Sequence, residues 1–143
     1  IVQPARAYFG QKDAHQVAVI KKMALDLALG LEITPVPTVR EPDGLAMSSR
    51  NVYLNPSEHQ AALCLWRSLR AARDLWAKGE RRAETLRQSM RTILESEPLA
   101  RIEYVSAADG ETLQELEEIQ PGALVSLAVW IGKTRLIDNI TLD

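Results

Sequence analysis

The sequence predicts two kinds of fold in succession, an α/β segment followed by an α+β domain. In the first part of the chain, two short apolar runs flank a helix-like pattern that ends at Gly30, which is the order of a βαβ unit. From Asn55 to Pro98, apolar residues recur at helical spacing in two stretches. After Pro98 the chain reads mainly as strands, and a Gly132-Lys133 turn joins the last two.

The βαβ pattern begins with Ala5 to Phe9, an apolar run that predicts a buried strand ending at Gly10. Asp13 stands where a helix N-cap is expected, and Gln16 completes the spacing of a capping box. The apolar residues of the following helix cover more than one stripe. We therefore expect this helix to be buried on more than one side.

A second strand is predicted from Leu31 to Val39. Pro35 and Pro37 cannot donate backbone hydrogen bonds, so we expect this strand to be irregular or paired on one side. Strand, helix and strand in this order predict a parallel pair joined by a right-handed crossover. A turn-forming sequence, Glu41 to Gly44, follows and leads into a loop.

The second segment opens with a helix start signal. Asn55 is a suitable N-cap, Pro56 fits the first helical position and Glu58 supplies the capping-box acid. Apolar spacing extends this helix to Gly79 and predicts a second helix that ends at Pro98. Strands are predicted at 101–107, 123–131 and 134–142, with a helical turn at 112–116.

Composition narrows the classes of function. The 143 residues carry a net charge of -2, so no overall basic field favours nucleic acid. No apolar run reaches the roughly 20 residues of a membrane span. Cys64 is the single cysteine, and its apolar helical surroundings predict a buried, inert thiol rather than a disulfide. With His15 and His59 as the only histidines, no metal site is predicted, and we expect a cytoplasmic protein.

Gly10, Lys12 and Asp13 lie between a predicted strand and a predicted helix. Ligands of open α/β sheets bind beyond the carboxyl ends of strands, and the free amides of a helix N-terminus favour an anion. Gly10 would let a ligand approach the backbone, and Lys12 adds a mobile positive charge. The alternative is a plain turn, a solvated lysine and a helix cap.

A second polar cluster, Met47-Ser48-Ser49-Arg50, follows the Glu41–Gly44 turn. Two hydroxyls and a guanidinium can surround phosphate oxygens and stabilise charge that develops on them. A serine-rich surface loop without a ligand is the alternative. Both clusters are expected at the same end of one βαβ unit, and together they predict nucleotide chemistry.

Gln16 and His15 are ambiguous from sequence. The carboxamide of Gln16 could hydrogen-bond a substrate hydroxyl or carboxylate, or it could be the capping-box partner of Asp13. His15 is expected on the helix surface rather than in catalysis.

The chain contains three longer motifs: Pro-x-x-Ala-x-Phe-Gly-x-Lys-Asp-x-x-Gln at 4–16, Val-Pro-Thr-Val-Arg-Glu-x-Asp-Gly-Leu-Ala-Met-Ser-Ser-Arg-Asn-x-Tyr-Leu at 36–54, and Leu-Ile-Asp-Asn at 136–139. These motifs resemble the pantothenate synthetase family, and the match covers essentially the whole chain. This family belongs to the nucleotidylyltransferases related to class I aminoacyl-tRNA synthetases. Met-Ser-Ser-Arg is there the counterpart of the Lys-Met-Ser-Lys-Ser loop.

The resemblance implies a two-step ligase reaction with ATP, accompanied by Mg²⁺, as a substrate. Pantoate and ATP form pantoyl adenylate and pyrophosphate, and β-alanine then displaces AMP to give pantothenate. By the same resemblance, Gln16 would bind pantoate. The residues implied to bind ATP are Gly10, Lys12, Asp13, Val39, Met47, Ser48, Ser49 and Arg50, of which Lys12, Ser48, Ser49 and Arg50 are implied to be catalytic.

The resemblance also implies that the chain is the C-terminal half of its enzyme. The chain opens with Ile-Val-Gln-Pro, and neither histidine stands in the His-x-Gly-His-like motif of the family's N-terminal half. The family usually has two glutamines after the Lys-Asp pair, and His15 takes the first position. We expect residues 1–41 to end a Rossmann-like nucleotide-binding domain, 42–54 to form a phosphate loop and hinge, and 55–143 to be an α+β lid domain.

On this interpretation the missing N-terminal half is a partner, and a homodimer is compatible with it. The 143-residue chain alone is expected to lack activity. Two alternatives stay open, namely a lid or interaction module without activity, and another adenylate-forming nucleotidyltransferase that uses a different acid.

Overall fold

The computed structural model describes residues 6–143, which fall into two compact units. The first unit ends at Thr38 and the second spans Val39–Asp143. The units therefore divide before the predicted 42–54 hinge, and that segment belongs to the second unit. The predicted strand start at Ala5 lies outside the described residues.

The first unit consists of strand β1 (Arg6–Gly10), helix α1 (Ala14–Asp26) and strand β2 (Glu32–Val36). The two strands are parallel neighbours, and their register ends with Gly10 opposite Val36. The βαβ prediction with parallel strands is confirmed. Because both strands run in the same direction, the residues that follow Gly10 and Val36 emerge at the same edge of this sheet.

The predicted burial of the first unit is wrong for the described residues. No residue of β1 is buried, and α1 buries only Ala14, Val17 and Ala24. On the same helix Leu25 is 81% exposed and Val19 63% exposed. Within residues 6–143, β1 and β2 form a two-stranded sheet, and α1 packs on this sheet alone. Because a single two-stranded layer covers only one side of α1, the other apolar side chains of the helix remain exposed.

Strand β2 is also shorter than predicted, because it stops at Val36 instead of continuing to Val39. The residue after it is Pro37, which has no backbone N–H to donate to a sheet. Pro35 lies within the strand, opposite Phe9. Between β1 and α1, a 3₁₀ turn at Gln11–Asp13 redirects the chain.

The second unit contains helices α2 (Pro56–Ala77) and α3 (Ala83–Glu95) and three strands. These are β3 (Ala100–Ala108), β4 (Ala123–Ile131) and β5 (Thr134–Leu142), an antiparallel sheet in the order β3-β4-β5. Helix α2 packs on α3, β4 and β5, while α3 packs on β3. The predicted α+β arrangement is confirmed.

Local signals explain these helix bounds. The Asn55 carboxamide accepts from the Glu58 amide at 2.8 Å, and the Glu58 carboxylate accepts from the Asn55 amide at 3.1 Å, so the capping box is complete. Gly79 follows α2 with φ +99°, a conformation that ends helices. Helix α3 ends before Pro98.

The predicted helical turn at 112–116 is wrong. The Asp109 carboxylate accepts from the amides of Glu111 and Thr112, both at 2.8 Å, which forms a side-chain-stabilised turn. Glu115 then makes an isolated bridge to Ala108. A local aspartate contact thus competes successfully with helix formation.

The core lies between the two helices and the sheet of the second unit. Its largest fully buried side chains include Leu65, Leu69, Leu86, Met90, Leu94, Leu127 and Ile131. Cys64 is buried among them as a free thiol, as predicted, and burial raises its pKa to about 11. No helix within residues 6–143 combines the length and apolar character that crossing a bilayer requires.

Candidate functional site

In the first unit, four of the predicted site residues lie together at the junction of β1 and α1. Gly10 ends β1 in an extended conformation, with φ -66° and ψ 130°, and a Cβ placed there would meet no atom within 4 Å. Lys12 is partly buried in the 3₁₀ turn, whereas Asp13 and Gln16 are exposed. Neither backbone strain nor packing in the described residues requires a glycine at position 10.

The capping box predicted for Asp13 and Gln16 does not form. Asp13 occupies the N-cap position, but its side chain makes no capping hydrogen bond. Its backbone has φ -95° and ψ 56°, away from the extended conformation in which an N-cap side chain reaches the following amides. The 3₁₀ turn that precedes α1 imposes this geometry. Gln16 is therefore not held as a capping partner.

In the second unit, Val39 and Met47 face each other across a short hairpin. The Met47 amide donates to the Val39 carbonyl at 2.9 Å, and the Glu41 amide donates to the Leu45 carbonyl at 2.8 Å. Val39 is 64% exposed and Met47 55% exposed, whereas Leu45 is buried at 3% exposure and anchors the hairpin in the core. Val39, predicted as the end of a strand, and Met47, predicted in a loop, thus present two apolar side chains from an anchored hairpin.

Ser48, Ser49 and Arg50 follow directly on this hairpin. The Ser48 hydroxyl accepts from the Arg50 amide at 3.2 Å and caps a 3₁₀ helix, Ser49–Tyr53. The Arg50 guanidinium donates to the Arg135 carbonyl at 3.2 Å. Arg50 also lines a cavity of about 890 Å³, together with Lys133 and other residues of the β4–β5 turn. Arg50, Lys133 and Arg135 bring positive charge to this cavity, and the acidic side chain of Glu58 lines it as well.

Asn51 completes the anchoring of this segment. Its amide group donates to the Ala46 carbonyl at 3.1 Å and to the Glu41 carboxylate at 3.3 Å. These bonds tie the start of the 3₁₀ helix to both arms of the hairpin.

Arg40 and Asp138 form an ion pair that was not predicted from the sequence. The guanidinium donates to both carboxylate oxygens, at 2.6 and 2.9 Å, and also to the Gly44 carbonyl at 3.2 Å. The guanidinium carbon lies 3.9 Å from the centre of the Trp66 ring. Both charged residues belong to motifs of the resemblance, but nothing local in the sequence pairs them.

A second missed cluster contains Glu41, Asp43 and His59. The Nε2 atom of His59 lies 2.8 Å from Asp43 Oδ2 and 3.5 Å from Glu41 Oε2. The hydrogen bond with His59 holds the pKa of Asp43 below its ordinary value, so this carboxylate is ionised at neutral pH. No local pattern in the sequence brings His59 to the 41–43 turn, because His59 lies on α2, beyond the intervening 3₁₀ helix.

The predicted residues thus form two groups, one in each unit. The residues of the first unit are Gly10, Lys12, Asp13 and Gln16, and those of the second are Val39, Met47, Ser48, Ser49 and Arg50. His15 is exposed on α1, as predicted.

Comparison with known proteins decides the family. Residues 1–141 match the family model described as pantoate-beta-alanine ligase. The chain belongs to the pantoate-beta-alanine ligase family. The family resemblance inferred from the three motifs is therefore confirmed.

Individual family members resemble the chain in sequence and structure. The pantothenate synthetase of Roseiflexus sp. (strain RS-1) is 59% identical over all 143 residues, which is 51% of that relative's length. The crystal structure of pantothenate synthetase from Thermus thermophilus has a TM-score of 0.92 at 41% identity, covering 98% of this chain and 50% of that one.

A more distant pantoate-beta-alanine ligase, from Francisella tularensis, was solved in complex with Beta-gamma ATP and Beta-alanine. It has a TM-score of 0.63 at 29% identity and covers 97% of this chain and 44% of that one. The chain thus spans about half the length of the ligase-family members that it matches.

Proposed function

We propose that this chain is part of an ATP-dependent ligase that joins pantoate and β-alanine to give pantothenate through a pantoyl-adenylate intermediate. The family match over residues 1–141 supports the proposal, as does the Francisella relative that carries an ATP compound and β-alanine. Because the chain spans half of its relatives, the remaining half of the nucleotide site would come from the partner half of the same enzyme.

One observation carries the proposal most directly: three family residues at the β1–α1 junction, Gly10, Asp13 and Gln16, have no capping or steric task in the described fold. Gly10 has an ordinary backbone conformation and open space beside it. Asp13 makes no capping hydrogen bond, and Gln16 is exposed. Residues that the fold does not require are explained when a bound ligand requires them.

In the first step, a pantoate carboxylate oxygen attacks the α-phosphorus of ATP. A P–O bond forms there, and the bond to the pyrophosphate leaving group breaks. Lys12 would offset the negative charge that develops on the α-phosphate, while Ser48, Ser49 and Arg50 would hold the leaving phosphates. Mg²⁺ enters as part of the MgATP substrate.

Binding roles follow from the exposed groups. Val39 and Met47 would contact the adenosine part of ATP, because they are exposed apolar side chains next to Ser48–Arg50, the residues that we propose bind the phosphates. Gln16 would hydrogen-bond pantoate, whose hydroxyl and carboxylate need both a donor and an acceptor. Asp13 would lie near the nucleotide.

In the second step, the β-alanine amine attacks the carbonyl carbon of the adenylate. A C–N bond forms, the bond from that carbon to the phosphate oxygen breaks, AMP leaves, and the amine releases its proton to solvent. Pre-positioning of the two reactants would supply much of this rate enhancement.

Exposed apolar side chains on and after α1 support the part of the proposal in which a partner half of the enzyme packs against this chain. Leu25 and Val19 are more than half exposed in this chain, as are Leu27 and Leu29 in the turn that follows α1. Covering such side chains stabilises an assembly by about 25 cal/mol per Å² of apolar surface.

A chimera tests the proposed function. This chain would replace the matching half of the Roseiflexus synthetase, and pantothenate formation from pantoate, β-alanine and ATP would be measured. We expect turnover by the chimera and none by the 143-residue chain alone. A folded chimera that exchanges pyrophosphate into ATP only with another acid would identify a different adenylate-forming enzyme. A folded chimera that binds no ATP would favour the alternative in which this chain is a lid or interaction module without activity.

Gly10→Ala in the same chimera isolates the nucleotide contact. Alanine fits the observed backbone at this position, so thermal unfolding should be unchanged. A methyl group would, however, occupy the space that we assign to ATP, and ATP affinity should fall. Unchanged ATP affinity would contradict the assignment of Gly10.

A further inference from the structure

We propose that Glu41, Asp43 and His59 form a binding site for one divalent transition-metal ion. The site is separate from the Mg²⁺ that accompanies ATP, and it does not depend on the proposed ligase function. All three residues belong to the second unit. Each offers one ligand atom, and the three atoms lie within 4.8 Å of one another.

The distances between these atoms suit a shared ion. His59 Nε2 is 2.8 Å from Asp43 Oδ2 and 3.5 Å from Glu41 Oε2. With metal–ligand bonds of about 2.0–2.2 Å, adjacent ligand atoms are separated by roughly 3 Å in octahedral and 3.4 Å in tetrahedral coordination. Small side-chain shifts would therefore bring the three atoms around one ion, which would replace the proton between His59 and Asp43.

Each carboxylate is already oriented by a hydrogen bond to its other oxygen. The Asn51 amide group donates to Glu41 Oε1 at 3.3 Å, and the Leu45 amide donates to Asp43 Oδ1 at 3.1 Å. Glu41 Oε2 and Asp43 Oδ2 are thereby left facing the imidazole. Outer hydrogen bonds of this kind orient the ligands of metal sites in proteins.

The imidazole is held by secondary structure. His59 lies in the first turn of α2, where its amide donates to the Asn55 carbonyl at 2.8 Å. Its side chain is 29% exposed, and the Glu41 and Asp43 side chains are 30% and 34% exposed. An ion can thus reach the three ligands while part of its solvent shell is excluded.

The local charge favours a cation. Within residues 6–143, neither Glu41 nor Asp43 forms an ion pair with an arginine or lysine. The nearest guanidinium in sequence, that of Arg40, is directed to Asp138 instead. Two carboxylates therefore face one imidazole without a fixed positive partner.

The donor set indicates which ions would bind. One imidazole nitrogen with two carboxylate oxygens suits Zn²⁺, Co²⁺ or Mn²⁺, whereas Mg²⁺ prefers oxygen ligands alone and retains water. Three protein ligands would leave a position for water. Because the ligands come from the 41–43 turn and from α2, the ion would tie the Ser48–Arg50 segment more firmly to the helix.

Titration of the metal-free 143-residue chain with Zn²⁺ tests the proposal. We expect calorimetry to show one saturable site and Zn²⁺ to raise the melting temperature, with Mg²⁺ doing neither. Loss of an outer partner of a metal ligand typically costs about tenfold or more in affinity, so His59→Gln, which removes a ligand, should weaken Zn²⁺ binding by at least about that factor. His15→Gln is the matched control, because it removes the other histidine of the chain, and it should bind Zn²⁺ like the original protein.

A measurement without substitutions protects against a variant that fails to fold. The chain has two histidines, so NMR can follow each imidazole separately. Zn²⁺ should shift the ring signals of His59 and leave those of His15 unchanged. Absence of saturable Zn²⁺ and Co²⁺ binding would overturn the proposal and leave an ordinary ion pair. Equal binding by both histidine variants, or a shift at His15 alone, would overturn it as well.

Discussion

Arg40 and Asp138 are 98 residues apart in sequence and form a bidentate ion pair, with nitrogen–oxygen distances of 2.6 and 2.9 Å. The Asp138 side chain is 2% exposed and that of Arg40 is 18% exposed. The Asp138 carboxylate also accepts from the Asn139 amide at 2.8 Å. This ion pair joins the hairpin that carries Met47 to strand β5.

Arg40→Ala should strongly destabilise the second unit, because it leaves the Asp138 carboxylate buried without its cation. Breaking such a buried pair costs about 3–5 kcal/mol in free energy of unfolding, measured by urea denaturation. Arg91→Ala is the matched control, since Arg91 pairs with the exposed Glu84 on α3. That substitution should cost no more than about 1 kcal/mol. Similar losses for both variants would refute a special role for the Arg40–Asp138 pair.

Gly44→Ala should cost more stability than Gly79→Ala. Both glycines have positive and nearly equal φ angles, +98° and +99°, so we expect a similar conformational penalty of about 1 kcal/mol for alanine at either position. A Cβ at Gly44 would overlap the indole ring of Trp66, whereas a Cβ at Gly79 would meet nothing within 4 Å. Overpacking should add about 1–3 kcal/mol at Gly44. Equal unfolding free energies for the two variants would contradict this packing.

The thiol of Cys64 should make stability fall at alkaline pH. Burial raises its pKa from an ordinary 9.0 to about 11, so the folded state retains the proton after the unfolded chain has lost it. The contribution is fully present below pH 9.0 and declines as pH rises towards 11. Urea unfolding of the original chain and of Cys64→Ala should therefore show a stability difference that changes across this interval. A constant difference would argue against the burial of an uncharged thiol.

Lys12→Ala, made in the chimera with the Roseiflexus half, should slow pyrophosphate–ATP exchange in the presence of pantoate by on the order of 10²–10³. The lysine charge matters most while negative charge develops on the α-phosphate. Lys22→Ala is the control, because its ammonium forms an exposed pair with Asp26 on the same helix. An exchange rate that is equal in both variants would assign Lys12 to the surface.

Gln16→Ala in the same chimera should raise the Michaelis constant for pantoate and leave that for ATP nearly unchanged. A lost hydrogen bond to a charged partner costs about 1.5–3 kcal/mol, or roughly one to two decades in affinity. The melting temperature should not change, because Asp13 makes no capping hydrogen bond that would engage Gln16. His15→Ala serves as the neighbouring control. A drop in melting temperature with both constants intact would restore the capping role.

Much of the second unit is predictable because its signals are local. Asn55 and Glu58 satisfy each other's backbone amides within one helical turn, and this needs no distant partner. The Gly132-Lys133 turn and the apolar run from Ala123 to Ile131 likewise predict the β4–β5 hairpin that is observed. The Asp109 turn was the exception, because its side chain satisfied backbone groups that a helix would have used.

The sequence alone was sufficient to indicate the family, the parallel βαβ order and the residues that carry the proposed chemistry. These conclusions rest on residue types at fixed short spacings. The sequence alone could not predict the pairing of Arg40 with Asp138 or the hydrogen bond between His59 and Asp43. Charge pairing between distant segments depends on which elements pack together, and burial of β1 and α1 depends on which layers cover them. Only the tertiary structure decides those relations, because the free energy of an ionic or apolar contact is set by its neighbours in space.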